Sequence, residues 1–362
     1  MTSPTMSVAV VGCGIGRQHI EEGYLPNADK FRVLAICDID AGKRDAVADA
    51  LGIPRRVAHF ADLLAMEDID VIDICTPPQL HREQILAALA VGKHVVCEKP
   101  LVGSLQQIDE VIAAESRATG KLMPVFQYRF GNGAEQAKRI IDSGVAGRPY
   151  VATAETFWTR RADYYAVPWR GRWATELGGM LMGHAIHIHD LLLHLMGPAA
   201  ALFGRTATRV NPIEVEDCFS ASVQLECGAL AALSGTLGSQ EEFSRLRLAF
   251  EHVTFESDQT PYAPGVKPWR IVPASSEIAR QIDSLLSGWP DVAPGYQTQF
   301  ARFHAAVAQG AALPVTSADA RRSLELATAF YHSAEAGIDV RLPIGPEHPR
   351  YRSWVPARFQ TA

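Results

Sequence analysis

The first 126 residues of this 362-residue chain alternate short apolar runs with amphipathic helical segments. Runs of Val, Ile, Leu and Cys are typical of strands buried on both faces, and strand–helix–strand repeats build parallel sheets with right-handed crossovers. The predicted strands are Ser7–Val11, Arg32–Cys37, Val71–Cys75, His94–Cys97 and Lys121–Phe126, and the predicted helices are Arg17–Leu25, Ala41–Leu51, Gln79–Ala90 and Leu105–Thr119. We therefore predict a doubly wound α/β Rossmann domain over residues 1–126.

A different pattern follows Phe126. Period-two alternation and short turns favour an antiparallel sheet with helices on one face. The predicted strands are Pro149–Phe157, Leu202–Val210, Cys218–Leu225, Ala229–Leu237 and Ser244–Phe250, and the predicted helices are Ala134–Ser143, Gly179–Met196, Gln299–Ala308 and Ala318–Ala336. We predict a second, α+β domain over residues 127–362, built on a large, mostly antiparallel open sheet.

Composition and charge exclude several classes of function. Apolar residues make up 48% and charged residues 20% of the chain, which is typical of a globular protein with a buried core. The net charge of −6, without a local basic patch, does not favour nucleic acid or anionic lipid. The longest stretch without Lys, Arg or Glu, Leu177–Gly204, holds four histidines and Asp190, so it makes a poor membrane span.

The cysteines indicate a reducing compartment. No C-x-x-C spacing occurs among the six, and four of them (Cys13, Cys37, Cys75 and Cys97) lie in or at the end of apolar runs. Because only six residues precede Ser7, a cleaved signal peptide would remove part of the first strand. We predict a cytoplasmic protein with reduced core cysteines.

A glycine-rich turn joins the first predicted strand to the first helix. Gly12, Gly14 and Gly16, with Ile15 between the last two, would let the backbone turn tightly and let a pyrophosphate approach the helix N-terminus. The third glycine stands one residue earlier than in G-x-G-x-x-G, so a simple tight connection is the alternative. The strand–turn–helix context favours dinucleotide binding.

The end of the second predicted strand indicates which dinucleotide is bound. Asp38 lies 26 residues after Gly12, where a carboxylate would accept both ribose hydroxyls and repel a 2′-phosphate. NAD is therefore the predicted cofactor, while Lys43 and Arg44 nearby leave NADP open.

Two further motifs stand at strand ends, where open α/β sheets bind their ligands. They are Cys75-Thr76-Pro77-Pro78-Gln79-Leu80-His81 and Cys97-Glu98-Lys99-Pro100. Together with the glycine turn and His19, Asp38, Tyr128-Arg129, Trp169-Arg170-Gly171 and a glycine-rich segment before His187-x-x-Asp190, they give the chain its family likeness. Over nearly its whole length it resembles the Gfo/Idh/MocA oxidoreductases, the glucose–fructose oxidoreductase and inositol dehydrogenase group.

The resemblance implies a role for each matching residue. Lys99 should reach the substrate hydroxyl and the nicotinamide ribose, Glu98 should help hold that ribose, and His187 corresponds to the catalytic histidine. Thr76, Pro77 and His81 should line the nicotinamide side, Arg170 should contact the cofactor, and Pro100 should follow a cis peptide bond. Without the resemblance, Lys99 would be an ordinary surface lysine at a strand end.

Three interpretations compete for the histidine-rich helix. His187, Asp190 and His194 share one face, and His184 precedes His187 by one turn. No distant ligand pattern supports a metal site, so we predict none. In a structural interpretation Asp190 fixes His187; in a catalytic one His187 takes the hydroxyl proton as a general base.

The chain departs from the family pattern at Gly183, where the resemblance leads one to expect an aspartate four residues before the histidine. The usual Asp–His pair is therefore missing. His184, one residue later, is a candidate replacement.

An aromatic and basic segment lies between Phe157 and Glu176. Aromatic rings stack on sugar C–H faces, and arginine forks bind hydroxyls, carboxylates or phosphates. The predicted substrate contacts are Tyr128, Arg129, Trp158, Arg160, Tyr164, Trp169, His184 and His187. The alternative is a loop packed at a domain junction or subunit contact.

These features predict an NAD(P)-dependent dehydrogenase that oxidises a secondary hydroxyl of a sugar, glycoside or cyclitol by hydride transfer. One alternative is a redox-neutral hydrolase or lyase that works through a transient keto-sugar, which the missing aspartate favours. The other is a non-catalytic sensor, which should have lost Lys99 or His187. The resemblance also implies a homodimer or homotetramer.

Overall fold

Six parallel strands form the first sheet of the computed structural model, which describes residues 4–359. The strands are β1 Met6–Val11, β2 Phe31–Cys37, β3 Arg55–Val57, β4 Val71–Ile74, β5 His94–Cys97 and β6 Leu122–Pro124, in the order β3-β2-β1-β4-β5-β6. All five predicted strands are confirmed. Sequence patterning missed β3 because it has three residues, of which the two arginines are exposed. The order reverses between β1 and β4, the switch point at which such sheets bind ligands.

The helices of this part follow the four predicted segments, except that the short helix α3 was not predicted. They are α1 Ile15–Gln18, continued by a π-helical turn over His19–Tyr24, then α2 Ala41–Leu51, α3 Phe60–Leu64, α4 His81–Ala90 and α5 Leu105–Glu115. Side-chain caps fix where α2 and α5 begin, since Asp40 accepts from the Lys43 amide and Ser104 from the Gln107 amide.

The second sheet has eight strands in the order β13-β12-β11-β7-β10-β9-β8-β14. They are β7 Pro149–Thr159, β8 Ala199–Ala207, β9 Cys218–Leu225, β10 Leu230–Thr236, β11 Gly238–Phe250, β12 Val253–Glu256, β13 Arg270–Pro273 and β14 Val340–Arg341. All neighbours are antiparallel except β7 and β10, which confirms a mostly antiparallel sheet. Alternate residues of β9 are buried, so one face of the sheet carries the core.

The remaining α-helices are α6 Asn132–Asp142, α7 Trp173–Glu176, α8 Ile186–Met196, α9 Ser276–Leu286, α10 Gly295–Ala308 and α11 Ser317–Ala336. The predicted helix Gly179–Met196 is split, because a π-helical turn over Leu181–Ala185 precedes α8. Helix α9 was not predicted, and Ile282 is its one buried residue, so its apolar face is narrow.

The chain folds into two units, and neither unit is one continuous stretch of the sequence. The first unit holds the residues up to 125 together with 296–320, and the second holds 126–295 together with the residues from 321 onward. The break at 125/126 lies one residue before the predicted boundary at 126/127, and the division differs from the predicted one in that 296–320 returns to the first unit. Phe300 shows why: its ring would lie 2.5 Å from a Cβ at Gly23 and its centroid lies 4.7 Å from that of Tyr24.

Candidate active site

The backbone of the glycine turn in the first unit lies close to the end of β4, which explains why glycine is needed there. Gly12 has a φ of +97°, and a Cβ there would lie 2.5 Å from the Cys75 carbonyl oxygen. A Cβ at Gly16 would lie 2.8 Å from the Val10 side chain, whereas one at Gly14 would meet no atom within 4 Å. Gly12 and Gly16 are therefore required for packing, and Gly14 leaves the turn open to a ligand.

The carboxylate of Asp38 braces this turn. Its Oδ2 accepts from the Cys13 amide at 2.8 Å, and its Oδ1 accepts from the Asp40 amide at 2.9 Å. The two nearby cations are paired with other acids: Lys43 lies 3.5 Å from Asp40, and Arg44 lies 3.1 Å from Asp45. This arrangement presents a carboxylate where an adenosine ribose binds, which fits NAD better than NADP.

Lys99 is the one residue of the Val95–Val102 stretch that is not buried. Its backbone amide donates to Glu98 Oε2 at 3.0 Å, and the Lys99–Pro100 peptide bond is cis, as the resemblance implied. Lys99 differs from an ordinary surface lysine in that its neighbours in this stretch are all buried. Lys99 is therefore the residue of this strand end that keeps some solvent exposure.

His81 is fully buried, and its place differs from the predicted contact with the cofactor. Its Nδ1 lies 2.9 Å from the Pro100 carbonyl oxygen and its Nε2 lies 2.8 Å from that of Thr76. Burial lowers the pKa of His81, although both carbonyls oppose that shift. His81 therefore ties the loop after β4 to the loop after β5, and the Thr76 hydroxyl is held by Gln84 at 2.6 Å.

A buried set of polar residues that was not predicted from the sequence lies near these loops. His19 lies between Asp73 and Glu98, with one ring nitrogen 2.9 Å from each carboxylate. Only the histidine at the end of the glycine turn could have pointed to it, since Asp73 lies inside an apolar strand pattern.

In the second unit, Glu216 anchors the segment that leads into the histidine helix. Its carboxylate accepts from the amides of Gly179 and Leu181 at 3.1 and 2.9 Å and from the Tyr331 hydroxyl at 3.0 Å. Burial raises the pKa of Glu216 to about 7, and the three donors partly offset this. A Cβ at Gly179 would lie 1.9 Å from the Glu216 carbonyl oxygen, so only glycine fits there.

His187 is buried on α8 and stacks on Tyr128, with the ring centroids 4.8 Å apart and the planes 22° apart. Tyr128 was predicted to contact substrate, but it is 3% exposed and its hydroxyl donates to the Pro261 carbonyl at 3.2 Å. The structure therefore makes Tyr128 a support for the His187 ring.

Asp190 and Arg129 form a buried bidentate pair. Arg129 Nε and Nη2 donate to the two carboxylate oxygens at 2.7 and 2.6 Å, and the Ser323 hydroxyl donates to the same carboxylate at 3.1 Å. The predicted substrate contact of Arg129 is thereby revised, because this fork is directed at Asp190. The pair fixes α8 next to the turn that carries Tyr128.

The open position at Gly183 faces a carboxylate from another element. A Cβ there would lie 3.8 Å from Glu176 Oε1. Glu176 is 5% exposed, its Oε2 accepts from the Gly171 amide at 2.5 Å, and its Oε1 lies 3.5 Å from Arg170 Nη1.

The aromatic segment forms a cluster around Arg160. Its guanidinium lies 5.1 Å from the ring centroid of Trp158 and 5.2 Å from that of Tyr164, and it is paired with Glu242 at 2.9 Å. Trp158 is 3% exposed and its indole N–H donates to Ser244, so it supports the cluster rather than offering a face to a sugar as predicted. His184 lies against the same rings, 5.1 Å from Trp158 and 5.6 Å from Tyr164.

A second arginine is stacked in the same segment. Arg170 lies 3.9 Å from the ring centroid of Tyr164 and 4.4 Å from that of Trp169. Arg160 and Arg170 thus each have a carboxylate partner, Glu242 and Glu176 respectively.

Comparison with known proteins decides the family. The GFO/IDH/MocA oxidoreductase model, an NAD-binding Rossmann fold, matches residues 6–126, and the GFO/IDH/MocA C-terminal domain matches residues 134–256. The chain belongs to the GFO/IDH/MocA oxidoreductase family. It is accordingly an oxidoreductase with an NAD-binding Rossmann domain, as predicted.

Individual GFO/IDH/MocA proteins resemble the chain to different extents. The uncharacterized oxidoreductase YrbE of Bacillus subtilis is 25% identical over 94% of this chain and 96% of its own length. The D-glucoside 3-dehydrogenase of Escherichia coli is 30% identical, over 54% of this chain and 56% of that protein. The WlbA dehydrogenase of Bordetella pertussis, solved with NADH and UDP-GlcNAcA, superimposes with a TM-score of 0.83 at 27% identity and covers 94% of this chain and all of that one.

Within residues 4–359, no helix combines the length and the apolar character that crossing a bilayer requires.

Proposed function

We propose that this GFO/IDH/MocA oxidoreductase is an NAD-dependent dehydrogenase that oxidises a secondary hydroxyl of a sugar, glycoside or cyclitol. Lys99 carries the proposal, because it is the one residue of the Val95–Val102 strand end that is not buried. Relatives support the substrate class: besides the glucoside dehydrogenase, an inositol 2-dehydrogenase of Salmonella typhimurium is 32% identical over 45% of this chain and 49% of its own length.

The proposed cofactor site lies in the first unit. Gly12, Gly14, Ile15 and Gly16 would carry the pyrophosphate, Asp38 the adenosine ribose, and Glu98 and Lys99 the nicotinamide ribose, with Thr76 and Pro77 on the nicotinamide side; Arg170 remains a proposed cofactor contact. Bound NAD supplies the electrophilic carbon that accepts a hydride from the carbinol carbon.

The proton chemistry is assigned to Lys99 and His187. His187 acts as the general base that takes the hydroxyl proton, and the Lys99 ammonium group stabilises the developing alkoxide. The hydroxyl loses one proton to His187 and the carbon loses one hydride to NAD, so the products are a ketone, NADH and a protonated base. Arg160, Tyr164, Trp169 and His184 are proposed to contact the rest of the substrate.

The test is a panel of sugars, glycosides and inositols assayed at 340 nm, first with NAD and then with NADP. We expect at least one compound to give one NADH per molecule oxidised, and NAD to be preferred. Failure of the whole panel with both cofactors would contradict the proposal.

A redox-neutral reaction is the second candidate, because Gly183 offers no side chain to pair with His187. In that reaction the hydride returns to the substrate after a substituent is eliminated from a transient ketone. Cleavage of a glycoside with catalytic NAD and no net NADH would support it, whereas stoichiometric NADH would reject it.

We further propose that the protein acts in the cytoplasm as a homodimer or homotetramer. Cys13, Cys37, Cys75 and Cys97 are buried and free, which suits a reducing compartment. Val151 and Leu230 are paired neighbours on the second sheet and are 45% and 51% exposed, so this face has apolar surface that a second copy could cover. Light scattering after gel filtration measures the mass.

A further inference from the structure

Three buried polar residues lie at the strand ends of the first unit. His19, Asp73 and Glu98 are 0%, 0% and 6% exposed, and we name them the His19 cluster. His19 Nδ1 lies 2.9 Å from Asp73 Oδ2, and its Nε2 lies 2.9 Å from Glu98 Oε1. An imidazole can donate through both nitrogens only when it is protonated, so this geometry fits an imidazolium held between two carboxylates.

The surroundings favour the charged ring. Burial by itself would lower the pKa of His19, but the adjacent Asp73 carboxylate raises it well above its usual value. Cys75 Sγ lies 3.3 Å from Nδ1, and burial raises the pKa of this thiol so that it stays neutral.

Two phenols also face His19 or its carboxylate partner, and the buried Cys97 thiol, whose pKa burial raises well above its usual value, lies near the same ring. The Tyr296 ring centroid lies 4.7 Å from that of His19. Tyr24 belongs to the same π-helical turn as His19, and its phenol lies near the Asp73 carboxylate of β4. Burial raises the pKa of both phenols well above the usual value, so both stay neutral. His19 therefore lies as a cation between two carboxylates, those of Asp73 and Glu98.

We propose that His19 is a positioning residue whose imidazolium keeps the Glu98 carboxylate ionised and fixed, and thereby orients Lys99. Glu98 connects the two: Oε1 receives the His19 hydrogen bond, and Oε2 receives the Lys99 backbone amide at 3.0 Å. Asp73 holds the other side of the ring, so a continuous chain of charge-assisted hydrogen bonds runs from β4 to the end of β5. The inference rests on the proposed function, in which Lys99 acts on the substrate hydroxyl.

A metal ion is the competing occupant, since ligand atoms of His19, Asp73 and Cys75 lie within 4.8 Å of one another. A bound ion would stand between the donors, about 2.0–2.3 Å from each. Here His19 Nδ1 and Asp73 Oδ2 face each other at hydrogen-bond distance, which favours a shared proton.

The first experiment compares His19→Gln with the double variant His19→Gln/Asp73→Asn. Glutamine preserves a hydrogen-bonding side chain but carries no charge, so kcat should fall about 10- to 100-fold and its acid limb should move to higher pH, since Glu98 becomes harder to ionise. The double variant removes the uncompensated Asp73 charge, so the unfolding temperature should recover while the kcat defect persists. If kcat and its pH profile return with stability, His19 is merely structural and the proposal fails.

His304→Gln is the matched control. His304 is also buried in the first unit, but its Nε2 lies 2.9 Å from a backbone carbonyl, that of Pro4, rather than from a carboxylate. This variant should lower the unfolding temperature without moving the pH profile.

A second readout does not depend on substrate turnover. Nitrogen-15 histidine resonances, with His19 assigned by its loss in His19→Gln, should show both ring nitrogens protonated at pH 8. A singly protonated ring at pH 8 would overturn the proposal, as would a stoichiometric metal in the purified protein that His19→Gln no longer holds. Because these measurements need no sugar, they separate failure of this inference from failure of the proposed function.

Discussion

Single side chains set the chemistry proposed here, and Lys99 shows how. Its neighbours from Val95 to Val102 are buried, so Lys99 is the residue of this strand end that the packing leaves partly exposed. His187 has the opposite setting: it is buried and held by the Tyr128 ring, which restricts its orientation. A partly exposed cation and a fixed imidazole suit charge stabilisation and proton abstraction respectively.

The first prediction is that Lys99→Ala and His187→Ala each lower kcat by a factor of about 100 or more, the usual loss when general acid–base groups are removed. NADH affinity, followed by fluorescence, should fall less than kcat in His187→Ala. Lys30→Ala, which removes a surface lysine paired with Asp29, is the control. Near-normal turnover in His187→Ala would remove it from the mechanism.

The second prediction is that Asp38→Ser lowers the preference for NAD over NADP by about tenfold or more. The carboxylate beside the glycine turn repels a 2′-phosphate, and serine does not. The ratio of kcat/KM for the two cofactors measures the change. Asp29→Ser removes the same charge from an exposed site and should leave the ratio unaltered.

Elements position these residues through glycine contacts and buried ion pairs. The segment before α8 is pressed against Glu216, which receives two of its amides, and α8 is held by the Arg129–Asp190 pair. Glu216 binds backbone amides, and Arg129 binds Asp190 rather than His187. The two anchors therefore define the position of His187 without contacting substrate.

The third prediction uses two glycines of the same segment. Gly179→Ala should destabilise the protein strongly, because its Cβ would lie 1.9 Å from a backbone oxygen. Gly183→Ala is the matched control: the nearest atom to its Cβ is 3.8 Å away, and alanine favours a helix by roughly 0.5–1 kcal/mol over glycine. Urea unfolding of both variants measures the difference, and equal stability would contradict the described packing.

The fourth prediction is that Arg129→Met and Asp190→Asn each lower the free energy of unfolding by about 3–5 kcal/mol, since either leaves a buried charge without its partner. The double variant should lose less than the sum of the two. Denaturant titration gives all four values needed for the cycle. Additive losses would show that the pair is not coupled.

At the scale of the whole molecule, buried carboxylates link stability to pH. The pKa of Glu216 is raised from an ordinary 4.5 to about 7, so the folded state binds a proton more tightly than the unfolded state. The stabilisation that this bound proton gives is complete below the pKa of Glu216 in the unfolded chain. It is lost as the pH rises through the pKa of Glu216 in the folded protein.

The fifth prediction follows from the raised pKa of Glu216, which makes the folded protein less stable as the pH rises. Between pH 4.5 and 7, the wild type should lose about 3 kcal/mol of unfolding free energy relative to Glu216→Gln, which cannot ionise. Glu214→Gln, at an exposed position two residues away, is the control and should follow the wild type. Parallel curves for wild type and Glu216→Gln would contradict the assignment.

Much of the fold was predictable because periodicity is a local property. The bounds of α2 and β5 match the predicted Ala41–Leu51 and His94–Cys97, and the two-sheet architecture is confirmed. The site was predictable only where motifs are contiguous. Contacts such as His19 to Glu98 join residues 79 positions apart, and the roles of Trp158 and Arg129 depend on partners that no local pattern identifies.

The return of residues 296–320 to the first unit has an evolutionary consequence. The chain crosses between units at 125/126, 295/296 and 320/321, and Phe300 packs where Gly23 leaves room for it. The Rossmann unit is therefore not a portable module that recombination could exchange by one cut near residue 126. A functional chimera with another family member would have to inherit both segments from the same parent.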